Sequence, residues 1–131
     1  MRKILLSTLV ADAHGTHWGY DGHANAESWG DLTPEFGECK KGHNQSPINI
    51  VTKNVKHSNH HDIKFNYVTN ATQIVNNGHT IQLNMANGSS IKIGGKEFAL
   101  KQFHFHTPSE NQIDGKNFPL EAHFVHVAKD G

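Results

Sequence analysis

The sequence predicts a mainly β single domain, built round a central, largely antiparallel twisted sheet with little helix. Two observations carry that prediction. Short runs rich in β-branched and aromatic residues alternate with polar or glycine-containing turns from about residue 46 to residue 128. In Gln102-Phe-His-Phe-His106 the polar and apolar residues alternate with the two-residue period of a strand. At 131 residues, with 35% hydrophobic and 18% charged side chains, the chain has the size of one domain with a moderate core.

Taken in order, the chain opens on Arg2 and Lys3, the apolar run from Ile4 to Val10, and the small-residue Ala11-Asp12-Ala13. That is the pattern of an export signal over residues 1–13, leading to a domain over 14–131 and a periplasmic or secreted destination. A short buried strand or a disordered leader is the alternative for this segment. The apolar run is far shorter than the ~20 residues a membrane-spanning helix needs, so it supplies no membrane anchor.

Trp18, Tyr20 and Trp29 form an aromatic segment whose plain role is packing. Thr33-Pro34-Glu35 offers one short helical turn, with threonine as N-cap and proline at the first helical position. Cys39 is the single cysteine and has no intramolecular partner in the sequence, a plain free thiol unless it pairs outside these residues. Strands are expected over 46–51, 63–68, 71–75, 80–85, 90–93, 98–106 and 121–128. Asn87-Gly88 is expected to turn 80–85 back on 90–93 as a hairpin, and Gly94-Gly95 leads into 98–106. Lys56-His-Ser-Asn-His-His-Asp62 reads as a solvated loop, with loose metal binding as its alternative.

The chemistry concentrates in three histidines. On a strand, His104 and His106 at i, i+2 point to one face, whereas a helix would splay them by roughly 200°. Phe103 and Phe105 then turn to the other face, into an apolar core. Asp114-Gly115 is a turn signal between this strand and 121–128, so an antiparallel hairpin returns His123 beside the first pair. Three nitrogen ligands with an open fourth position describe a catalytic zinc rather than a structural one. Gln102 shares a face with His104, and Glu121 with His123, where each can take the second N–H of a metal-bound imidazole.

Formal net charge is zero with the 12 histidines neutral, so no basic field exists for nucleic acid and no acidic tail is present. A nucleophilic serine or cysteine, a phosphate-cradling loop and a dinucleotide fingerprint are all without support.

The motifs His17-Trp-Gly-Tyr20, Glu27-Ser-Trp-Gly30, Asn44-Gln-Ser-Pro-Ile-Asn-Ile50, Asn76-Asn-Gly-His-Thr80, Gln102 to Glu110 and Glu121-Ala-His-Phe-Val-His126 occur in this order. With them the chain resembles the α-class carbonic anhydrases of the bacterial, exported kind over nearly everything after residue 16. The resemblance implies zinc-dependent reversible hydration of carbon dioxide to bicarbonate and a proton. It makes His104, His106 and His123 the Zn2+ ligands, with Gln102 and Glu121 the partners that orient two of them. It makes His79 the proton shuttle, a role histidine suits because its ordinary pKa lies near ~6.5. A plain turn-adjacent histidine is the alternative. Glu110 matches the acidic residue that accepts a hydrogen bond from a catalytic threonine, Asn76 and Asn77 match residues along the water path, and Tyr20 matches a hydrogen-bonding residue near it.

The resemblance also implies a disulfide from Cys39 to the C-terminal half, further strands, a wall of the substrate pocket and the catalytic threonine, none of which these residues contain. A truncated carbonic anhydrase fold is therefore expected, with turnover in doubt and with open strand edges as a route to self-association. Two other classes compete. A cupin-type jelly roll would use His104, His106, Glu110 and a third histidine as ligands, so the position of Glu110 decides it. A non-catalytic zinc-binding remnant, or a histidine-rich metal buffer, is the other.

Overall fold

A computed structural model of the chain describes residues 15–59 and 62–128. The leader pattern and His60-His61 of the histidine-rich loop lie outside the described residues. Residues up to Ile48 and residues from Asn49 onward form separate compact units.

The first unit is built of short helical turns. Single turns of 3-10 helix at Gly22–Ala24, Ala26–Ser28 and Pro34–Phe36 alternate with two one-turn helices, α1 (Trp29–Leu32) and α2 (Glu38–Lys41). Helix is sparse, as expected, but spread over more turns than the one foreseen at residues 33–35. Pro34 does open its turn, yet the Thr33 hydroxyl bonds the Glu35 carboxylate and makes no backbone cap. Trp18, Tyr20 and Trp29 pack edge to face on one another with centroids 5.3–6.0 Å apart. The Trp29 indole N–H is shared between the carbonyls of Gly19 at 2.8 Å and Ala24 at 3.0 Å, which fixes the turn between them.

The second unit is the sheet. Its strands are β1 (Asn49–Ile50), β2 (Lys64–Asn66), β3 (Ala71–Asn76), β4 (Ile81–Met85), β5 (Ser90–Ile93), β6 (Lys96–His106), β7 (Gln112–Ile113) and β8 (Glu121–Ala128). β1 and β7 form a small parallel pair, and the remaining six make one antiparallel sheet in the order β2-β5-β6-β4-β3, with β8 also on β6. β6 is the spine. Along one edge it carries β5 beside residues 96–99 and β4 beside residues 102–104; along the other it carries the whole of β8.

That arrangement corrects the Asn87-Gly88 hairpin. β4 and β5 do not pair; both run antiparallel to β6 on the same edge, one after the other. Asn87-Gly88 makes a sideways jog between them, and Ser89 O accepts from Leu100 N at 2.9 Å to bring the chain back into register. The buried Ser89 hydroxyl accepts from the N–H groups of Val68 and Thr69, both at 3.1 Å, so the jog is held from the β2 side as well. The true tight turn is Gly94-Gly95, whose φ angles of +56° and +85° suit a two-residue hairpin loop.

A second expectation also needs correcting. Phe103 and Phe105 turn away from the histidines, but they are only half-buried, and the fully buried apolar side chains among the described residues are Leu100 and Val125. No helix among the described residues is long and apolar enough to cross a membrane.

Candidate metal centre

β6 and β8 assemble the site by register. His104 stands directly opposite His123, His106 opposite Glu121, and Gln102 opposite Val125. A bulge at Lys101 shifts the pairing so that Gln102 and both β6 histidines share the face of His123. Between the strands the chain turns at Asp114-Gly115, with φ of +49° and +75°, as the turn signal predicted. The Asp114 carboxylate accepts from Thr52 N at 2.8 Å and from Thr52 Oγ1 at 2.7 Å, and Gly115 N donates to Asn49 Oδ1 at 2.8 Å. Part of the Gln-Ser-Pro-Ile-Asn-Ile block therefore pins the loop joining the ligand-bearing strands.

The three rings lie with centroids 4.5–5.2 Å apart, and one nitrogen from each falls within 4.8 Å of the others. Three ligands on a tetrahedral zinc would sit about 3.3 Å apart for metal–nitrogen distances of ~2.0–2.1 Å, so small side-chain movements suffice to close on an ion. Partners already sort the nitrogens. His104 Nδ1 donates to Gln102 Oε1 at 2.8 Å, which leaves Nε2 facing the cluster. His123 Nε2 lies 3.1 Å from Glu121 Oε1, within ion-pair reach though short of hydrogen-bond alignment, and this favours Nδ1 as the ligand atom. Burial, then the charges of His106 and His123, push the His104 pKa down to about 4, and burial lowers His106 too, against the opposing pull of Glu110. Neutral imidazole is the form that binds metal. The donor set fits a nitrogen-preferring divalent ion such as zinc.

Glu110 sits beside the cluster and outside it, with Oε1 3.5 Å from His106 Nδ1 and Oε2 3.9 Å from His123 Nδ1. The cupin alternative required this carboxylate among the ligands, and it fails there. Glu121 does more than the sequence suggested. Its Oε2 accepts from the N–H groups of Glu110 at 2.7 Å and Asn111 at 2.9 Å, and its Oε1 accepts from Asn111 Nδ2 at 2.5 Å. Burial pushes this carboxyl up, but the hydrogen bonds from Asn111 and the Glu110 backbone, together with the nearby His123 ring, outweigh it and hold the pKa at about 2. One carboxylate thus supports a ligand and clamps the loop that presents Glu110.

His79 lies in the β3–β4 loop. Asn76 Oδ1 accepts from Gly78 N at 3.0 Å, and Asn77 Oδ1 accepts from His79 N at 3.0 Å and Thr80 N at 2.9 Å, so both asparagines shape this turn. Thr80 Oγ1 donates to the Phe105 carbonyl and accepts from its N–H, which ties the loop end to the residue between two of the histidines. Tyr20 belongs to the first unit. The sequence reading missed an amide chain on the ligand face, Gln82 to Asn84 at 2.8 Å and Asn84 to Gln73 at 3.0 Å. The alternation Ile81-Gln82-Leu83-Asn84-Met85 was its signal.

The sheet offers three clustered imidazoles on one face, two of them beside side-chain acceptors, the donor set of a candidate strand-built metal site. The family model for eukaryotic-type carbonic anhydrases matches residues 24–131, and the chain belongs to that family. A carbonic anhydrase of Neisseria gonorrhoeae is 53% identical over 124 residues, 92% of this chain and 48% of the relative, and one of Pectobacterium atrosepticum is 47% identical over 131 residues, 100% and 52%. The solved α-carbonic anhydrase of Thermovibrio ammonificans, in complex with the inhibitor sulfanilamide, is 49% identical with a TM-score of 0.84 over 89% of this chain and 52% of its own. The chain spans about half the length of the relatives it matches.

Proposed function

We propose that this chain carries the zinc centre of a carbonic anhydrase and serves the reversible hydration of carbon dioxide to bicarbonate and a proton. The convergence of His104, His106 and His123 on one face of the β6–β8 pair carries the reading. When bound, zinc supplies the Lewis acidity that makes water nucleophilic near neutral pH.

The protein's own residues do the rest. His104 Nε2, His106 and His123 Nδ1 would hold the ion, and Gln102 and Glu121 stand against two of the rings so that little ordering would remain on binding. Glu110, anchored through its backbone by Glu121, is the carboxylate that accepts a hydrogen bond from the group orienting the nucleophile. His79 takes the departing proton toward solvent from its loop beside Thr80, with Asn76 and Asn77 fixing the loop. The leader pattern over residues 1–13 supports a periplasmic or secreted location.

A zinc titration of the 131-residue chain, run beside carbon dioxide hydration assays, tests the proposal. One tightly bound equivalent with hydration lost on chelation is the expected result. Several weak equivalents would overturn the zinc centre, and one equivalent without hydration would overturn turnover while leaving the centre.

A further inference from the structure

We infer that Thr80 is a positioning residue of the proton path, whose hydroxyl bolts the His79 loop to the strand carrying His104 and His106. The inference rests on the reading of His79 as the group that takes the departing proton. The paired register of β4 on β6 ends at Gln82 and His104. Beyond that point a side chain continues the contact. Thr80 Oγ1 donates to the Phe105 carbonyl and accepts from the Phe105 N–H at 3.3 Å. Phe105 is the residue between His104 and His106, so one hydroxyl grips the backbone that carries two of the three rings.

The main chain of Thr80 is engaged on the other side. Its N–H donates to Asn77 Oδ1 at 2.9 Å and its carbonyl accepts from Asn77 N at 3.2 Å, which closes the loop round Gly78 and His79. The His79 N–H donates to the same Asn77 Oδ1 at 3.0 Å. Gly78 stands at φ +88°, a conformation glycine adopts freely, so the loop closes without strain. Thr80 is thereby a joint: its main chain holds the backbone of His79 and its side chain holds the ligand strand. Threonine suits the task because branching at Cβ restricts χ1 and aims the hydroxyl. A proton relay depends on where its ring stands relative to the metal ligands, and a misplacement of about 1 Å is enough to slow a positioned reaction strongly.

Two substitutions test the joint: Thr80→Val keeps the branched shape and removes the hydroxyl, whereas Thr80→Ser keeps the hydroxyl. In the metal-free 131-residue chain, amide hydrogen exchange followed by NMR should show the Asn77, His79 and Phe105 N–H groups exchanging about tenfold faster in Thr80→Val and nearly as before in Thr80→Ser. Equal exchange in all three chains would overturn the inference. A loss of protection over the whole sheet in Thr80→Val would also overturn it, since the hydroxyl would then serve the fold and not the loop. In hydration assays at low buffer concentration, Thr80→Val should lower kcat at least about tenfold with kcat/KM unchanged, and added imidazole, a free proton carrier, should restore kcat. A joint fall of kcat and kcat/KM, or a kcat that imidazole leaves low, would overturn the role in proton transfer. An unsubstituted chain that binds zinc without hydrating carbon dioxide would overturn the functional reading instead, and the exchange comparison would still uphold or overturn the joint.

Discussion

The two faces of the same sheet are stabilised by different means. On the ligand face, side chains are tied by directional bonds: Gln102 to His104, Glu121 to the 110–111 loop, and the amide chain from Gln73 to Gln82. On the opposite face, rings touch rings, and the side chains farthest from β6 stay open to solvent. Hydrogen bonds specify where an atom sits, whereas apolar packing specifies only what is covered. The face that must place three nitrogens uses the first means, and losses on the two faces will be felt in different measurements.

The largest expected effect is on the ligand face. His106→Ala removes one of three donors, and zinc affinity should fall by more than the ~10–100-fold that loss of a supporting partner costs. Isothermal titration against the unsubstituted chain checks it, and an unchanged affinity would break the claim that the two faces are specialised. Next comes the buried part of the opposite face. Leu100→Ala, at a side chain only 3% exposed, should cost about 2–5 kcal/mol in urea unfolding. Ile74→Ala, on the open part of the same face, should cost far less in the monomer.

Gln102→Ala follows, with zinc affinity down about 10–100-fold and fold stability nearly untouched. Glu121→Ala at the same level of support should lose both, because Glu121 also satisfies the N–H groups of Glu110 and Asn111. Each bond to a charged acceptor is worth ~1.5–3 kcal/mol. If the two variants behaved alike in thermal unfolding, the double duty of Glu121 would be wrong.

These contrasts show what was legible from the sequence. The alternation in 102–106 and 121–128 revealed both strands, their shared face and the cluster of three histidines on it, because a two-residue period is a local property. The dipeptide Asn87-Gly88 misled, because the same turn chemistry serves a hairpin or a jog, and the choice was made by β6, whose length lets β4 and β5 follow one another along a single edge. Phe103 and Phe105 were correctly turned from the histidines but wrongly sunk in a core, since a strand's period says which face a ring takes and not what covers it. The clamp from Glu121 to Asn111 spans ten residues and depends on the path of the 107–111 loop, which no spacing encodes.

The smallest expected effect sharpens the comparison most, because each face carries a histidine that burial holds below its ordinary pKa. His104 on the ligand face is joined by two other imidazoles; His126 on the ring face has Nδ1 3.0 Å from Phe124 O and Nε2 2.9 Å from Tyr67 Oη. Nδ1–H donates to the carbonyl, so Nε2 is the acceptor and the tyrosine hydroxyl is the donor. Burial lowers the His126 pKa and the Phe124 carbonyl raises it, with burial the larger cause. A depressed folded-state value means the unfolded chain binds the proton more readily. The contribution of His126 to stability is therefore full above its ordinary 6.5 and is lost as the pH falls through the folded-state value. Tyr67→Phe removes only the donor to Nε2 and should cost about 0.5–1.5 kcal/mol at neutral pH, leaving zinc affinity unchanged. In the metal-free chain, proton resonances of the His126 ring should titrate below 6.5 without sensing zinc, whereas those of His104 should stop titrating when zinc is added. A His126 titration that moves with zinc would mean that the faces communicate through β8, and the division between them would have to be abandoned.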